Sequence, residues 1–421
     1  MSAAEERARG SGGRVRRIAH DSLILAGGSV ANGLLAYVFF AVTTRSLGAE
    51  DAAPVAVLWS YWALSAAVLT FAVQHWVIRT LAHDGHGGTV AATLPRIVAG
   101  GVVLSLLAGL VAYVFRETLF DLDGIAFPAM VAGVTAGSLF VGLVRGALAG
   151  RQRYRATAAS LAGENLIRVV AAILVAVAGG GAEAFGVAMV MGSLIGLLWL
   201  PSLRFDSPER AAAVQNPLAL LSGVAGGALL AQVALTGAPI VLAVVGGAPA
   251  EVTSLFVSLA VWRAPYLIAI GVTPQLTLAF TRLVVDRRLR QLARLRAVVV
   301  AAVVAGTGLA ALIGATLLTP VLHTVFGSDV ELSGGQLALL GVGTAVALGN
   351  LVLLLMSLAL GRSRAAAAGW VTSLVVASGW LLLSDTAAVE RVVIGFLLAQ
   401  LTAFALMYVL TRSSGTAADG S

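Results

Sequence analysis

The stretch TAASLAGENLIRVVAAILVAVAG (residues 157–179) decides the fold class, because it is apolar over the length of a membrane-spanning helix. Only Glu164 and Arg168 are ionisable within it. The whole chain has the same character. Of its 421 residues, 59% are hydrophobic and 11% are charged, whereas a soluble domain carries roughly 25% charged residues. We therefore predict an all-α, polytopic membrane protein.

Twelve apolar runs are long enough to cross a bilayer, at roughly 20 residues per span. We place them at 22–46, 53–78, 96–116, 125–149, 157–179, 184–203, 218–245, 251–281, 295–319, 335–360, 365–384 and 391–411. They form two six-helix lobes, 22–203 and 218–411, joined by a cytoplasmic linker at 204–217. A basic cytoplasmic tail, 1–21, precedes them, and a tail at 412–421, predicted to be disordered, follows.

The distribution of arginine predicts the orientation. All 27 basic residues are arginine, which, with the richness in alanine, valine and glycine, is typical of a GC-rich bacterial genome. With both termini in the cytoplasm, 22 arginines, including Arg145, fall in cytoplasmic segments and 3 in outer ones. Only Arg168 and Arg263 lie within spans. We predict a multi-pass protein of the bacterial cytoplasmic membrane, and exclude nucleic acid as a partner because the basic residues are divided among short loops.

A faint internal repeat relates the two lobes. Residues 150–153 (GRQR) recur as residues 361–364 (GRSR), and the same offset of 211 brings Phe185 onto Phe396. Six spans per lobe is an even number, so both lobes have the same orientation. The repeat therefore predicts a symmetry axis along the membrane normal.

Glu164 and Arg168 are the first candidate site residues. At a spacing of four they share one helix face, and at 1.5 Å per residue Arg168 lies about 16 Å into its span. Ionisable residues at this depth are costly and mark functional sites by default. Two interpretations stay open. The pair lines a water-filled cavity that binds an anionic substrate, or it is a buried ion pair that only fixes helix packing.

The second candidate is Arg263, deep in the eighth predicted span. Pro265 and Pro274 should kink this span, so we predict a hinge there. Arg263 is predicted to bind substrate, and its pairing with Glu164 across the bundle is a further hypothesis. Three more residues are predicted to line the cavity, with an interhelical or headgroup-anchoring role as the alternative: Arg45, Asn32 and Gln232.

Catalytic and cofactor chemistry find little support in the sequence. The chain has no cysteine and no lysine, which excludes thiolate metal sites and a Walker P-loop. His83 and His86 have a metal-like spacing, but no further ligands are near them in sequence. We expect no catalytic residue, metal or cofactor. Energy would come from an H⁺ or Na⁺ gradient, the membrane potential or a substrate gradient.

Two segments resemble a known family. Residues 31–51 (ANGLLAYVFFAVTTRSLGAED) resemble the first span and outer turn of the polysaccharide-biosynthesis branch of the multidrug/oligosaccharidyl-lipid/polysaccharide (MOP) exporter superfamily. There an apolar helix ends in Arg-x-Leu-Gly before an acidic turn, here Arg45, Leu47, Gly48 and Glu50. The aromatic residue and glycine usual after that turn are replaced by alanines. Residues 150–189 resemble the fifth and sixth spans, where a Gly-x-x-Arg/Lys-Phe/Tyr turn precedes a helix bearing Glu and Arg.

The resemblance implies two six-helix lobes in a V around a central cavity. It also implies alternating access that moves a lipid-linked oligosaccharide to the outer leaflet, beside the glycosyltransferases or polymerase of the same pathway. Arginine suits the diphosphate of such a substrate. The alternatives are an ion-coupled multidrug antiporter of the same fold and a non-transporting scaffold for envelope biosynthesis. A membrane glycosyltransferase is disfavoured, since neither an acidic catalytic pair nor a large outer loop is evident.

Overall fold

The computed structural model of the chain describes residues 3–84, 87–205, 225–271 and 273–412. Within these ranges the secondary structure is helical and includes no strand. This confirms the predicted all-α fold class.

The N-terminal half is formed by helices that follow one another with short turns. A π-helical segment, Ala66–Phe71, joins α2 to α3, and a 3₁₀ helix, Gly192–Leu203, continues α8. In chain order the α-helices are α1 (Ala3–Asp51), α2 (Ala53–Ser65), α3 (Ala72–Asp84), α4 (Gly88–Val114), α5 (Arg116–Phe120), α6 (Ala126–Gly150), α7 (Tyr154–Val177) and α8 (Ala182–Met191).

The C-terminal half begins with short helices and ends with long ones. The helices are α9 (Ala225–Thr236), α10 (Ala238–Val244), α11 (Pro249–Trp262), α12 (Ala264–Gly271), α13 (Thr273–Val285), α14 (Leu289–Thr316), α15 (Leu318–Phe326), α16 (Gly334–Ala359), α17 (Ser363–Leu383) and α18 (Ala388–Arg412).

Ten helices in the described part of the chain are long and apolar enough to cross a membrane. They coincide with ten of the twelve predicted spans. The described parts of the other two predicted spans, 218–245 and 251–281, are divided into the short helices α9 to α13. The count of twelve and the cytoplasmic placement of both termini therefore stay predictions. The predicted N-terminal tail, 1–21, belongs to α1 from Ala3 onward. Most of the predicted linker (206–217) and of the predicted C-terminal tail (413–421) lies outside the described residues.

The helices α6 and α16 occupy equivalent central positions in the two halves. In each, 67% of the apolar window is buried, the highest share among the ten long helices. The turn that follows each helix carries an arginine of the sequence repeat. Arg151 donates to the carbonyl oxygen of Ser202, and Arg362 donates to that of Leu410, near the end of the last described helix of each half. The aligned arginines therefore make the same kind of contact.

The two halves meet at the end of the molecule where α1 turns into α2. Phe40 of α1 packs on Phe256 of α11, with ring centroids 4.3 Å apart. The Nε of Arg45 donates to the carbonyl oxygen of Val325, at the end of α15, over 3.0 Å. Further along α1 towards its N-terminus, Val30 is 54% exposed. The arginine distribution predicts that the end at which the two halves are in contact is the outer end.

Candidate functional site

A buried charge network lies where α6 and α7 pack together. The carboxylate of Glu164 accepts a hydrogen bond from Arg168 and another from Arg145, each over 2.6 Å. Arg145 also donates to the hydroxyl of Ser160, over 3.1 Å. The exposed fractions of Glu164, Arg168 and Arg145 are 3%, 0% and 5%. One carboxylate faces two guanidinium groups, so this network, the Glu164 network, carries one net positive charge.

A carbonyl of α8 and a side chain of α7 itself accept from the other donors of Arg168. Its Nε donates to the carbonyl oxygen of Met189 over 2.9 Å, and its Nη1 donates to the side-chain oxygen of Asn165 over 2.8 Å. The amide of Asn165 in turn donates to the backbone and side-chain oxygens of Asn32, over 2.9 and 3.0 Å. The network therefore ties α7 to α8 on one side and to α1 on the other.

Two tryptophans of α2 cover the network. Trp62 donates its indole N–H to Glu164 over 3.1 Å. The guanidinium carbon of Arg168 lies 4.2 Å from the ring centroid of Trp62 and 5.3 Å from that of Trp59. A cation over an aromatic face is attracted by the ring quadrupole, and more strongly where water is excluded. The aromatic cover thus stabilises the guanidinium in a setting without solvent.

This geometry bears on both interpretations of Glu164 and Arg168. Arg168 has no exposed surface in this conformation, so it does not reach a water-filled cavity. Its contacts are those expected of an ion pair that fixes helix packing, and binding of substrate by these residues stays a proposal. Arg145 was assigned to the cytoplasm, but the structure buries it inside α6. The position of Arg145 within the apolar run 125–149 could have identified it as a third arginine in the spans.

Gly192, the first residue of the 3₁₀ helix, packs directly on the network. A Cβ at position 192 would lie 2.9 Å from Cγ of Arg168 and 2.9 Å from the carbonyl oxygen of Glu164. We expect Gly192→Ala to lower the free energy of unfolding by roughly 1–3 kcal/mol through overpacking. Thermal unfolding of the detergent-solubilised protein measures this. Gly308→Ala, where a Cβ meets nothing within 4 Å, is the control, and equal melting temperatures for both variants would refute the steric argument.

Arg263 occupies the break between α11 and α12, where it connects three elements. Its Nη2 donates to the carbonyl oxygen of Leu235 on α9. The phenol groups of Tyr37 on α1 and Tyr266 on α12 lie near its guanidinium. Glu164 is paired with other arginines in this conformation, so the hypothesis of a Glu164–Arg263 pair is not supported. Arg263 instead lies at the contact between the two halves.

One of the two predicted hinge prolines lies next to this break. Pro265 is the second residue of α12, a position where a missing N–H costs no helical hydrogen bond. The hydroxyl of Tyr37 donates to the carbonyl oxygen of Ala260, near the end of α11, over 2.6 Å. Pro274 lies in α13, and its side chain is outside the described residues. Hinge motion at either proline stays a proposal.

The remaining predicted cavity residues lie at three different places. Arg45 donates to the last carbonyl oxygens of α15, which contribute the negative end of that helix dipole. Asn32 joins the Glu164 network through Asn165. Gln232, on α9, has a buried side-chain oxygen without a hydrogen-bond partner in the described part of the chain. Only Asn32 is thus brought together with Glu164 and Arg168.

No group of three or more His, Asp or Glu side chains suited to a metal ion occurs in the described ranges. The side chain of His83 is not among those described, and His86 lies outside the described ranges. The geometry therefore adds no metal ligand set to the sequence prediction.

The fold is that of MATE transporters of the MOP superfamily. An inward-facing multidrug resistance MATE family transporter of that superfamily matches with a TM-score of 0.69 and 14% identity, over 95% of this chain and 99% of the other. An outward-facing MATE transporter matches with a TM-score of 0.59 and 16% identity, over 95% and 96%. A MOP superfamily transporter from Pyrococcus furiosus, described as having a binding pocket of reverse polarity that suggests a different function, matches with a TM-score of 0.60 and 15% identity, over 95% and 96%. No protein-family model and no curated protein matches the sequence.

At these identities the likeness establishes the fold alone. Together with the ten long apolar helices it defines a multi-pass membrane protein built like the MOP transporters.

Proposed function

We propose that this chain is a flippase of the bacterial cytoplasmic membrane that moves an anionic, lipid-linked saccharide to the outer leaflet by alternating access. The substrate class is a polyprenyl-diphosphate oligosaccharide or a related envelope precursor. Glycosyltransferases or a polymerase of the same pathway would supply it and use it.

The charge inside the spans is the observation that carries this proposal. Glu164 is the one acidic residue in the interior of the predicted spans, and Arg145 and Arg168 already occupy its carboxylate. The described spans therefore offer no free carboxylate for a cationic drug or a coupling cation. With Arg263 included, the interior of the spans holds three arginines and one glutamate, and a basic interior attracts an anionic substrate.

The contact between the halves supports an inward-facing state. The halves close at the predicted outer end through Phe40, Phe256 and Arg45. The likeness to an inward-facing MATE transporter is also greater than that to an outward-facing one, with TM-scores of 0.69 and 0.59. In such a state the substrate headgroup enters from the cytoplasmic leaflet, and closure of the inner end would carry it outward.

A multidrug antiporter is the second candidate, since two of the structural neighbours are multidrug resistance MATE transporters. It would have to bind a cation without a free carboxylate in the described spans. The neighbour from Pyrococcus furiosus supports the view that polarity differs among pockets of this fold.

A leaflet-resolved assay in proteoliposomes distinguishes the two candidates. We expect translocation of a polyprenyl-diphosphate saccharide and no gradient-driven efflux of a cationic dye. Arg263→Gln should lower saccharide translocation about tenfold or more, since a hydrogen bond to a charged group contributes roughly 1.5–3 kcal/mol. The exposed Arg282 provides the control: Arg282→Gln should translocate at the wild-type rate.

Dye efflux without saccharide translocation would reverse the order of the candidates. Neither activity in a well-folded preparation would favour a scaffold. Arg168→Ala is less informative, because loss of the buried guanidinium also removes a packing contact.

A further inference from the structure

A narrow pocket lies inside the C-terminal half, enclosed by α9, α12, α16, α17 and α18. Unless these helices separate, it has room for about one water molecule. Alanine and leucine side chains form most of its wall, and three larger polar or aromatic side chains complete it: Tyr266, Trp370 and Gln400. The pocket is thus built from the half of the molecule opposite the Glu164 network.

Two hydrogen-bond donors at this pocket have no partner among the described residues. They are Nε1 of Trp370 and Nε2 of Gln400, on side chains that belong to residues 2% and 0% exposed. The amide of Gln400 is oriented, because its Oε1 accepts from Asn350 over 3.0 Å. Buried polar groups are nearly always satisfied, so two orphaned donors at one pocket call for an acceptor. The matching ligand is one rich in oxygen acceptors.

Arg263 adds positive charge beside the same pocket. It donates to the carbonyl oxygen of Leu235 and lies near Tyr266, and both of these residues line the pocket. Its Nε is buried without a partner in the described part of the chain. Guanidinium groups bind phosphate oxygens through charge-assisted hydrogen bonds. A cation and two neutral donors together suit an oxyanion.

The carbonyl of Leu235 has lost its usual helical donor. Pro239 stands four residues later, where a regular helix would supply a backbone N–H, and proline has none. Arg263 replaces that donor from the neighbouring broken span. An oxyanion that bound the Nε and Nη2 donors of Arg263 together, in bidentate fashion, would therefore compete with Leu235 for Nη2. Its binding would leave the break between α9 and α10 without this support.

We propose that the pocket binds a phosphate-class oxyanion through Arg263, Trp370 and Gln400, and that binding loosens the break between α9 and α10. The oxyanion is free phosphate or the phosphate headgroup of a lipid. Because the pocket is narrow, binding separates the surrounding helices and so links occupancy to movement in the C-terminal half. This proposal deepens the proposed function and rests on it only for the identity of the transported molecule. Binding of the oxyanion can be measured without transport.

Binding to the purified full chain in detergent and in nanodiscs tests the proposal. Inorganic phosphate and inorganic diphosphate are titrated by calorimetry, and nanodiscs with phosphatidic acid are compared with nanodiscs of phosphatidylcholine alone. We expect saturable binding of a phosphate group. Gln400→Glu should abolish it by charge repulsion, and Trp370→Phe should weaken it several-fold by removing one donor. Binding of phosphatidic acid without binding of the free ions would assign the site to a lipid headgroup.

Pro239→Ala gives the sharpest test, because it predicts a gain. The restored backbone N–H bonds to Leu235, so Arg263 is released for the ligand and phosphate should bind several-fold more tightly than in the wild type. Pro249→Ala is the matched control, since Pro249 opens α11 where a missing N–H has no helical acceptor. Unchanged affinity in Pro239→Ala together with normal binding by Gln400→Glu would overturn the proposal. Phosphate binding without saccharide transport would refute the proposed function alone.

Discussion

Glu164→Gln is expected to destabilise the folded protein by roughly 3–5 kcal/mol, the cost of removing one partner from a buried ion pair. The amide keeps the shape of the carboxylate but cancels its charge, so Arg145 and Arg168 remain buried without a counterion. The amide nitrogen of the variant would also face a guanidinium N–H, so two hydrogen-bond donors would oppose each other. The fraction of protein that stays monodisperse after heating in detergent measures the loss.

Two further variants show whether charge is the cause. Glu183→Gln makes the same chemical change at an exposed position of α8, and it should alter stability by less than about 0.5 kcal/mol. Arg145→Gln added to Glu164→Gln should recover part of the loss, because it removes one of the two unpaired charges. If Glu164→Gln melted at the temperature of Glu183→Gln, the network would have no structural role.

Cross-linking the two halves at the predicted outer end is expected to reduce transport to background. The chain lacks cysteine, so Arg45→Cys with Thr324→Cys creates one reactive pair. Both positions are exposed, and Arg45 donates to the carbonyl oxygen of Thr324 in this conformation. A short, reducible bifunctional reagent would hold the halves together there and prevent the outer end from opening. Saccharide translocation is measured before treatment, after cross-linking and after reduction.

A pair within one helix controls for the chemistry. Val321→Cys with Thr324→Cys places both cysteines on exposed positions of α15, so the same reagent ties no halves together and transport should persist. Transport at the full rate by the cross-linked Arg45/Thr324 pair would mean that the halves need not separate at this end. Alternating access through that opening would then be wrong.

Much of the fold was predictable because in lipid every backbone hydrogen bond must be satisfied within a helix. Run length alone therefore indicated the ten long helices. The two broken spans were predicted only in part. Pro265 and Pro274 indicated interruption of the eighth predicted span, whereas the break after Thr236 depends on Gly237 and Pro239, which the apolar run concealed.

The site was less predictable. Glu164 and Arg168 were found because they stand one turn apart in an apolar run, and their bond is local. Arg145 joins Glu164 from 19 residues away, and Trp62 from 102 residues away. These contacts depend on how α2 and α6 are rotated about their axes when they pack on α7, and the period of a single apolar run holds little information about that rotation.

The sequence by itself determined the all-α class and the long apolar helices, and it predicts two related halves and a basic interior, because composition, run length and the positions of arginine are properties of the chain. Tertiary structure alone decided which charged side chains are fully surrounded by partners and which keep an unpaired hydrogen-bond donor. Arg168 is enclosed by Glu164, Asn165 and two tryptophans, whereas Arg263 keeps an unpartnered Nε beside a pocket. The physical reason is that a buried charge is fixed by the partners that surround it, and those partners come from distant helices.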